Sequence, residues 1–189
     1  HAWLNYDDDK MFEAWRRRYA QSIGTLAHSY ARDYIQWGQK AKAGEDVTVA
    51  FIGGSITQGA GAVPIHTKCY AHRTYEEFSK CFGTGENVHF IKAGVGGTPS
   101  QLGIIRFERD ILRDGVVEPD LVVVEFAVND EGDETKGMCY ESLVRKILSL
   151  PNQPAVVLLF AVFAFDWNLQ ERLGPVGELY KLPMVSIMD

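Results

Sequence analysis

The sequence predicts an α/β domain, a parallel sheet with helices on both faces. From Val47 onward, short apolar strands alternate with helical patterns at the spacing of βαβ units with right-handed crossovers. Residues 121–126 and 155–161 are apolar almost without interruption, as strands covered on both faces must be. The first strand breaks abruptly into Gly53-Gly54-Ser55 and a further glycine-rich turn. That break puts a hydroxyl and backbone N–H groups at the carboxyl end of the sheet, where open α/β sheets bind ligands.

Composition narrows the classes. The 189 residues are 46% apolar and 23% charged, which suits one well-buried domain. A net charge of −6 argues against a nucleic-acid surface, and the one basic cluster, Arg16, Arg17 and Arg18, reads as a solvated helix face. Cys69, Cys81 and Cys139 cannot all pair and no Cys-x-x-Cys occurs, so free thiols are expected, with no metal and no cofactor. The odd cysteine count leans slightly toward the cytoplasm, with a removed signal peptide still open. The longest apolar run, residues 154–165, is shorter than the roughly 20 residues a membrane span needs.

Each element follows from its pattern. Residues 8–42 read as two helices meeting near residues 22–24, with Leu26, Tyr30, Tyr34 and Trp37 at helical spacing. Lys40, Lys42 and Gly44 end the second with late basic residues and a glycine stop. A strand at 47–52, a long loop and a helix at 74–82 follow. Residues 88–91 form a second strand, and 100–112 a helix whose apolar face is Leu102, Ile105 and Ile111, with Phe107 off that face. A strand at 121–126, a helix at 140–150 and a strand at 155–161 come next. A short helix or turn over 169–180 and a fifth strand at 183–187 complete the pattern. Residues 1–45 are expected to be an N-terminal helical appendage, and residues 46–189 the α/β domain.

Three strand ends carry groups suited to acyl transfer. Gly53-Gly-Ser-Ile-Thr-Gln-Gly59 follows the first strand, Ala93-Gly-Val-Gly-Gly-Thr98 the second and Ala127-Val-Asn-Asp130 the third. Together they offer a hydroxyl nucleophile and unrelated hydrogen-bond donors. Attack on an ester creates a tetrahedral oxyanion, which the N–H of Ser55, the N–H of Gly97 and the Asn129 side-chain amide are placed to stabilise. Glycine at 97 lets the backbone approach without a Cβ that would meet the acyl group. Thr57 and Gln58 read as holding the turn in shape.

These blocks, Gly53-Gly-Ser-Ile-Thr, Gly94-x-Gly-Gly97 and Val128-Asn-Asp130, resemble the SGNH (GDSL-like) hydrolases, in the Gly-Gly-Ser branch of bacterial carbohydrate esterases. The resemblance covers residues 47–189. It implies Ser55 as nucleophile, Gly97 as the second-block glycine (with Gly94 or Gly96 as alternatives) and Asn129 as the third-block asparagine. It also implies a three-layer α/β/α fold with a five-stranded parallel sheet, in the flavodoxin-like order 2-1-3-4-5. The implied substrate is a small acylated molecule, an acetylated carbohydrate first, with lipase or thioesterase activity as the alternative; no nucleic-acid or membrane partner is implied. The family's Asp-x-x-His block is absent from the sequence. The domain is therefore expected to be truncated, with its catalytic histidine beyond Asp189, and the 189 residues alone to be nearly inactive.

Other polar residues have simpler readings. His66 and His72, in the loop after Ser55, are expected to be surface or loop-packing residues rather than a substitute base, His89 lies at the far end of its strand, and His28 is structural. Glu125, costly to bury alone, is expected to pair with Arg106 or Arg109, with a catalytic acid as the lesser reading. Asp130 reads as a loop anchor. Trp167, Asn168, Gln170 and Glu171 are candidates for a sugar-binding rim or for ordinary turn packing. A nucleotide- or phosphate-binding module is the competing class, though neither Gly-x-Gly-x-x-Gly nor a lysine-bearing P-loop fits. A non-catalytic carbohydrate-binding relative is the third.

Overall fold

The computed structural model describes residues 31–163 and 167–187. The first predicted helix, its junction near residues 22–24, the Arg16–Arg18 cluster and His28 lie outside them.

Five parallel strands form one sheet in the order β2-β1-β3-β4-β5: β1 Val47–Gly53, β2 Val88–Gly94, β3 Leu121–Glu125, β4 Ala155–Phe160 and β5 Met184–Ser186. The helices are α1 Ala31–Lys42, α2 Ser55–Gln58, α3 Tyr70–Phe82, α4 Ser100–Asp110, α5 Met138–Leu148 and α6 Gln170–Leu179. Alternate side chains of the central strands point to opposite faces, which gives two cores. Val49, Phe51, Val123 and Val157 pack with Trp37, Tyr70 and Phe78 of α1 and α3. Ile52, Val122, Val124 and Leu158 pack with Phe107, Tyr140, Leu143 and Leu173 of α4, α5 and α6. The expected three layers and strand order are present.

Four local differences have physical causes. The helix expected at 74–82 begins at Tyr70, because Tyr70 and Ala71 extend the buried stripe of Thr74 and Phe78 by one turn. Strand β2 runs on past Ile91 to Gly94. It is an edge strand, so Lys92 can stay in the ladder while its Nζ donates to the Gln58 carbonyl at 2.9 Å and the Ile65 carbonyl at 3.2 Å. Helix α4 faces the core through Gly103, Arg106 and Phe107 rather than the expected Leu102 and Ile105, which are exposed. The glycine-rich turn after β1 contains one helical turn, α2, closed by Gly59 in the left-handed region at φ 107°.

At the amino ends of the strands, Asp120 accepts from Lys40 Nζ at 2.7 Å and from the Thr48 N–H at 2.8 Å, fastening α1 to the sheet.

Candidate active site

The carboxyl end of β1 is built by close approach. Glycine at 94 lets β2 lie directly on α2, since a Cβ there would strike the Gln58 nitrogen and the Thr57 carbonyl carbon. A Cβ on Gly54 would likewise fall on the Asn129 side-chain amide. Gly54 stands where the resembling family usually carries aspartate, and here the Asn129 amide fills that space. Asn129 thus lies against the residue preceding Ser55, two of the three expected site residues brought together.

The second block is divided among its glycines. The Cβ position of Gly96 is 3.8 Å from Ser55 Cβ, so Gly96 is the glycine beside the serine. Gly97 follows with φ +71° and nothing within 4 Å of its Cβ position. Its conformation, rather than crowding by protein atoms, is what favours glycine there. Ser55 is half-buried, and among the described residues neither its Oγ nor its N–H has a hydrogen-bond partner. The Asn129 Oδ1 is buried and also without a partner there.

Beneath the turn lies a carboxyl that no arginine meets. Glu125 is fully buried, and its Oε2 accepts from Thr57 Oγ1 at 3.0 Å. Thr57 Oγ1 in turn is 2.8 Å from the buried Tyr70 hydroxyl. Burial pushes the Glu125 carboxyl up to about 7, against hydrogen bonds from Thr57 and the Gly54 N–H. Burial, then the Glu125 charge, also raises the Tyr70 hydroxyl well above the ordinary tyrosine value. The expected pairing of Glu125 with Arg106 or Arg109 does not occur. Arg106 instead donates to the Ala93 carbonyl at 2.6 Å, the Gly53 carbonyl at 2.9 Å and Asp110 at 3.0 Å, tying together the ends of β1 and β2. Arg109 pairs with Asp110 on the surface. Sequence reasoning missed Tyr70. The signal was a lone glutamate in an apolar strand, which requires a buried hydrogen-bond partner.

The remaining candidates are engaged elsewhere. Asp130 is the anchor its position suggests, its Oδ1 accepting the Ser100 N–H at the start of α4 at 2.8 Å. Burial raises its carboxyl, against the hydrogen bonds from Ser100. His66 is exposed on the loop. His72 sits on α3 rather than in a loop, edge-on to Tyr75 and Phe90, and His89 contacts Asp46 at 2.7 Å at the far end of β2. Asn168 serves its own turn, donating to the Ala161 carbonyl and accepting the Gln170 N–H, while Trp167 stacks on Phe163. Among the described residues no three His, Cys, Asp or Glu side chains converge to hold a metal. A cavity of about 590 Å³ lies at the opposite end of the sheet, lined by residues such as Trp37, Lys40, Asp120 and Asn152, and no lining side chain carries a hydroxyl or a thiol.

The comparison that decides the family covers most of this architecture. A model of the GDSL-like lipase/acylhydrolase family matches residues 51–182. The chain belongs to that family. Among solved structures, this GDSL-like chain is similar to a two-domain esterase active on acetylated mannans, at 41% identity and a TM-score of 0.76, over 82% of this chain and 41% of that one. The same esterase co-crystallised with mannopentaose matches at 41% identity and a TM-score of 0.74, over 83% and 42%. The GDSL-like chain thus spans about two fifths of the length of that esterase. An acetylxylan esterase from Geobacillus stearothermophilus shares the fold at 17% identity and a TM-score of 0.55, over 76% of this chain and 77% of that one. No match was found among curated proteins.

Proposed function

We propose that this GDSL-like chain is the nucleophile-bearing part of a serine esterase that removes small acyl groups, acetyl first, from carbohydrate. The observation that carries this reading is the Asn129 amide lying against Gly54 beside an unpartnered Ser55 hydroxyl. The carbohydrate half of the proposal rests on the 41% identity to an esterase active on acetylated mannans.

In this reading Ser55 Oγ attacks the ester carbonyl and the carbonyl oxygen becomes an oxyanion. The Ser55 N–H, the Gly97 N–H and the Asn129 side-chain N–H₂ receive it. Fixed donors of this kind act because they need no reorganisation as charge develops. The open space over Gly97 admits the acyl group. Collapse of the intermediate breaks the ester C–O bond and releases the sugar as its alcohol, carrying the proton that Ser55 Oγ gave up to the family's base. It leaves an acyl-serine, which water then hydrolyses to free acid and serine. His72 packs on α3 against Tyr75 and Phe90, His89 contacts Asp46 at the far end of β2, and His66 is exposed on its loop. The Asp-x-x-His block that supplies the family's base is not among the 189 residues. The test therefore uses the full-length polypeptide. Ser55→Ala is expected to abolish release of acetate from acetylated mannan and from p-nitrophenyl acetate. Turnover retained by that variant removes Ser55 from the mechanism.

A further inference from the structure

We infer that Glu125 is a positioning residue that acts through Thr57 to hold the Ser55 turn in its reactive orientation. This rests on the reading of Ser55 as nucleophile.

Helix α2 is only four residues long, Ser55–Gln58. So short a helix has too few internal hydrogen bonds to fix its own orientation. Its own ladder near the serine is the Gln58 N–H to the Gly54 carbonyl at 3.0 Å and the Gly59 N–H to the Ser55 carbonyl at 2.9 Å. What fixes it must come from outside: Lys92 and the close approach of β2 at Gly94 hold its Gln58 end, and three connections to β3 hold its serine side. Gly53 stands opposite Glu125 in the β1–β3 register. The Gly54 N–H donates to the Glu125 carbonyl at 3.3 Å. Two residues beyond Ser55, Thr57 Oγ1 donates to Glu125 Oε2 at 3.0 Å.

Direction follows from proton counting. With Glu125 ionised its carboxylate only accepts, so Thr57 gives it its one hydroxyl proton and at 2.8 Å the Tyr70 hydroxyl is the donor to Thr57. A directed relay, Tyr70 to Thr57 to Glu125, runs under the nucleophile from α3 to β3. All three residues are buried. A carboxyl in this place is an expensive way to fill space, since an apolar side chain in the otherwise apolar β3 avoids the desolvation cost. Its other oxygen, Oε1, has no hydrogen-bond partner among the described residues. The one side-chain hydrogen bond the carboxyl accepts among the described residues comes from the turn, through Thr57.

The test is made on the full-length polypeptide with a fluorophosphonate, following the rate of covalent labelling and locating the label by peptide mass, with melting temperature measured alongside. Tyr70→Phe and Thr57→Val each remove one hydroxyl with little change in shape. Both are expected to remain folded and to lower the labelling rate and kcat by about ten- to a hundredfold, with KM little changed, up to the roughly hundredfold cost of misplacing a reacting group by 1 Å. Thr57→Ser and Glu125→Gln keep an oxygen in place and are expected to retain most of the rate. Glu125→Leu is expected to lose as much as Thr57→Val, and the double variant Thr57→Val/Glu125→Leu to be no slower than the worse of these two singles, because the residues act as a unit. Wild-type rates in folded Tyr70→Phe and Thr57→Val overturn the inference, as do fully additive losses. A wild-type protein that is active but unlabelled at Ser55 overturns the nucleophile reading itself, and this inference with it.

Discussion

Asn129 and Gly54 share one space, and that sharing makes a sharp expectation. In the proposed mechanism Asn129→Ala removes a donor to the oxyanion, and the expected loss is about 10²–10³-fold in kcat. Gly54→Ala is expected to cost activity by another route, since its methyl lands on the Asn129 amide and displaces it. Combining the two relieves the clash. The double variant is expected to melt closer to the wild type than Gly54→Ala does, while its kcat stays at the Asn129→Ala level. Calorimetry and acetate release on the four proteins check both halves. Equal melting temperatures for Gly54→Ala and wild type, with full activity, would show that Asn129 has another place to go. At this scale the sequence's blocks single out Ser55, Gly97 and Asn129, and the fold sets the Asn129 amide against the residue preceding Ser55. The sequence could not divide the work among Gly94, Gly96 and Gly97, because packing on α2, nearness to Ser55 and a left-handed φ are properties of the folded loop. Nor could it pair Thr57 with Glu125, 68 residues apart and joined only by the β1–β3 register.

Among the elements, α4 is the instructive disagreement. Of the expected apolar face Leu102, Ile105 and Ile111, only Ile111 is buried, while Ile105 is 76% exposed and the off-face Phe107 is fully buried. The face is rotated because Arg106 must reach the carbonyls of Ala93 and Gly53, and Phe107 goes inward with it. Sequence periodicity ranks residues by polarity and therefore cannot see an arginine recruited to cap strand ends. Phe107→Ala is expected to destabilise the fold by about 3–5 kcal/mol, and Ile105→Glu to shift stability by less than about 0.5 kcal/mol. Urea denaturation of both separates the two assignments of the face. The strands were legible because β3 and β4 are buried on both sides, so their composition alone declares them.

For the molecule as a whole, the buried carboxyls set how stability follows pH. Burial raises Glu125 from 4.5 to about 7 and raises Asp130 as well. A carboxyl whose folded pKa lies above its unfolded one holds its proton in the native state after the unfolded chain has released it. Its stabilising contribution is full below the unfolded value and is lost as pH rises through the folded value. For Glu125 that window runs from about 4.5 to about 7, and the shift corresponds to something on the order of 3 kcal/mol. Asp110 and Asp133 work the other way. Burial pushes each up, but Arg109 and Arg106 beside Asp110, and the Thr135 and Gly137 donors around Asp133, hold both below the ordinary aspartate value. Their contributions are present above about pH 4 and lost only in stronger acid. Between about pH 4.5 and 7 the difference between wild type and Glu125→Gln therefore isolates one group. Wild type is expected to lose stability relative to the variant across that interval, and the difference to level off above it. Urea midpoints for the two proteins at half-unit pH steps give the curve. Parallel curves would mean that Glu125 is ionised in the folded protein throughout, its charge fully supported by Thr57 and the Gly54 N–H.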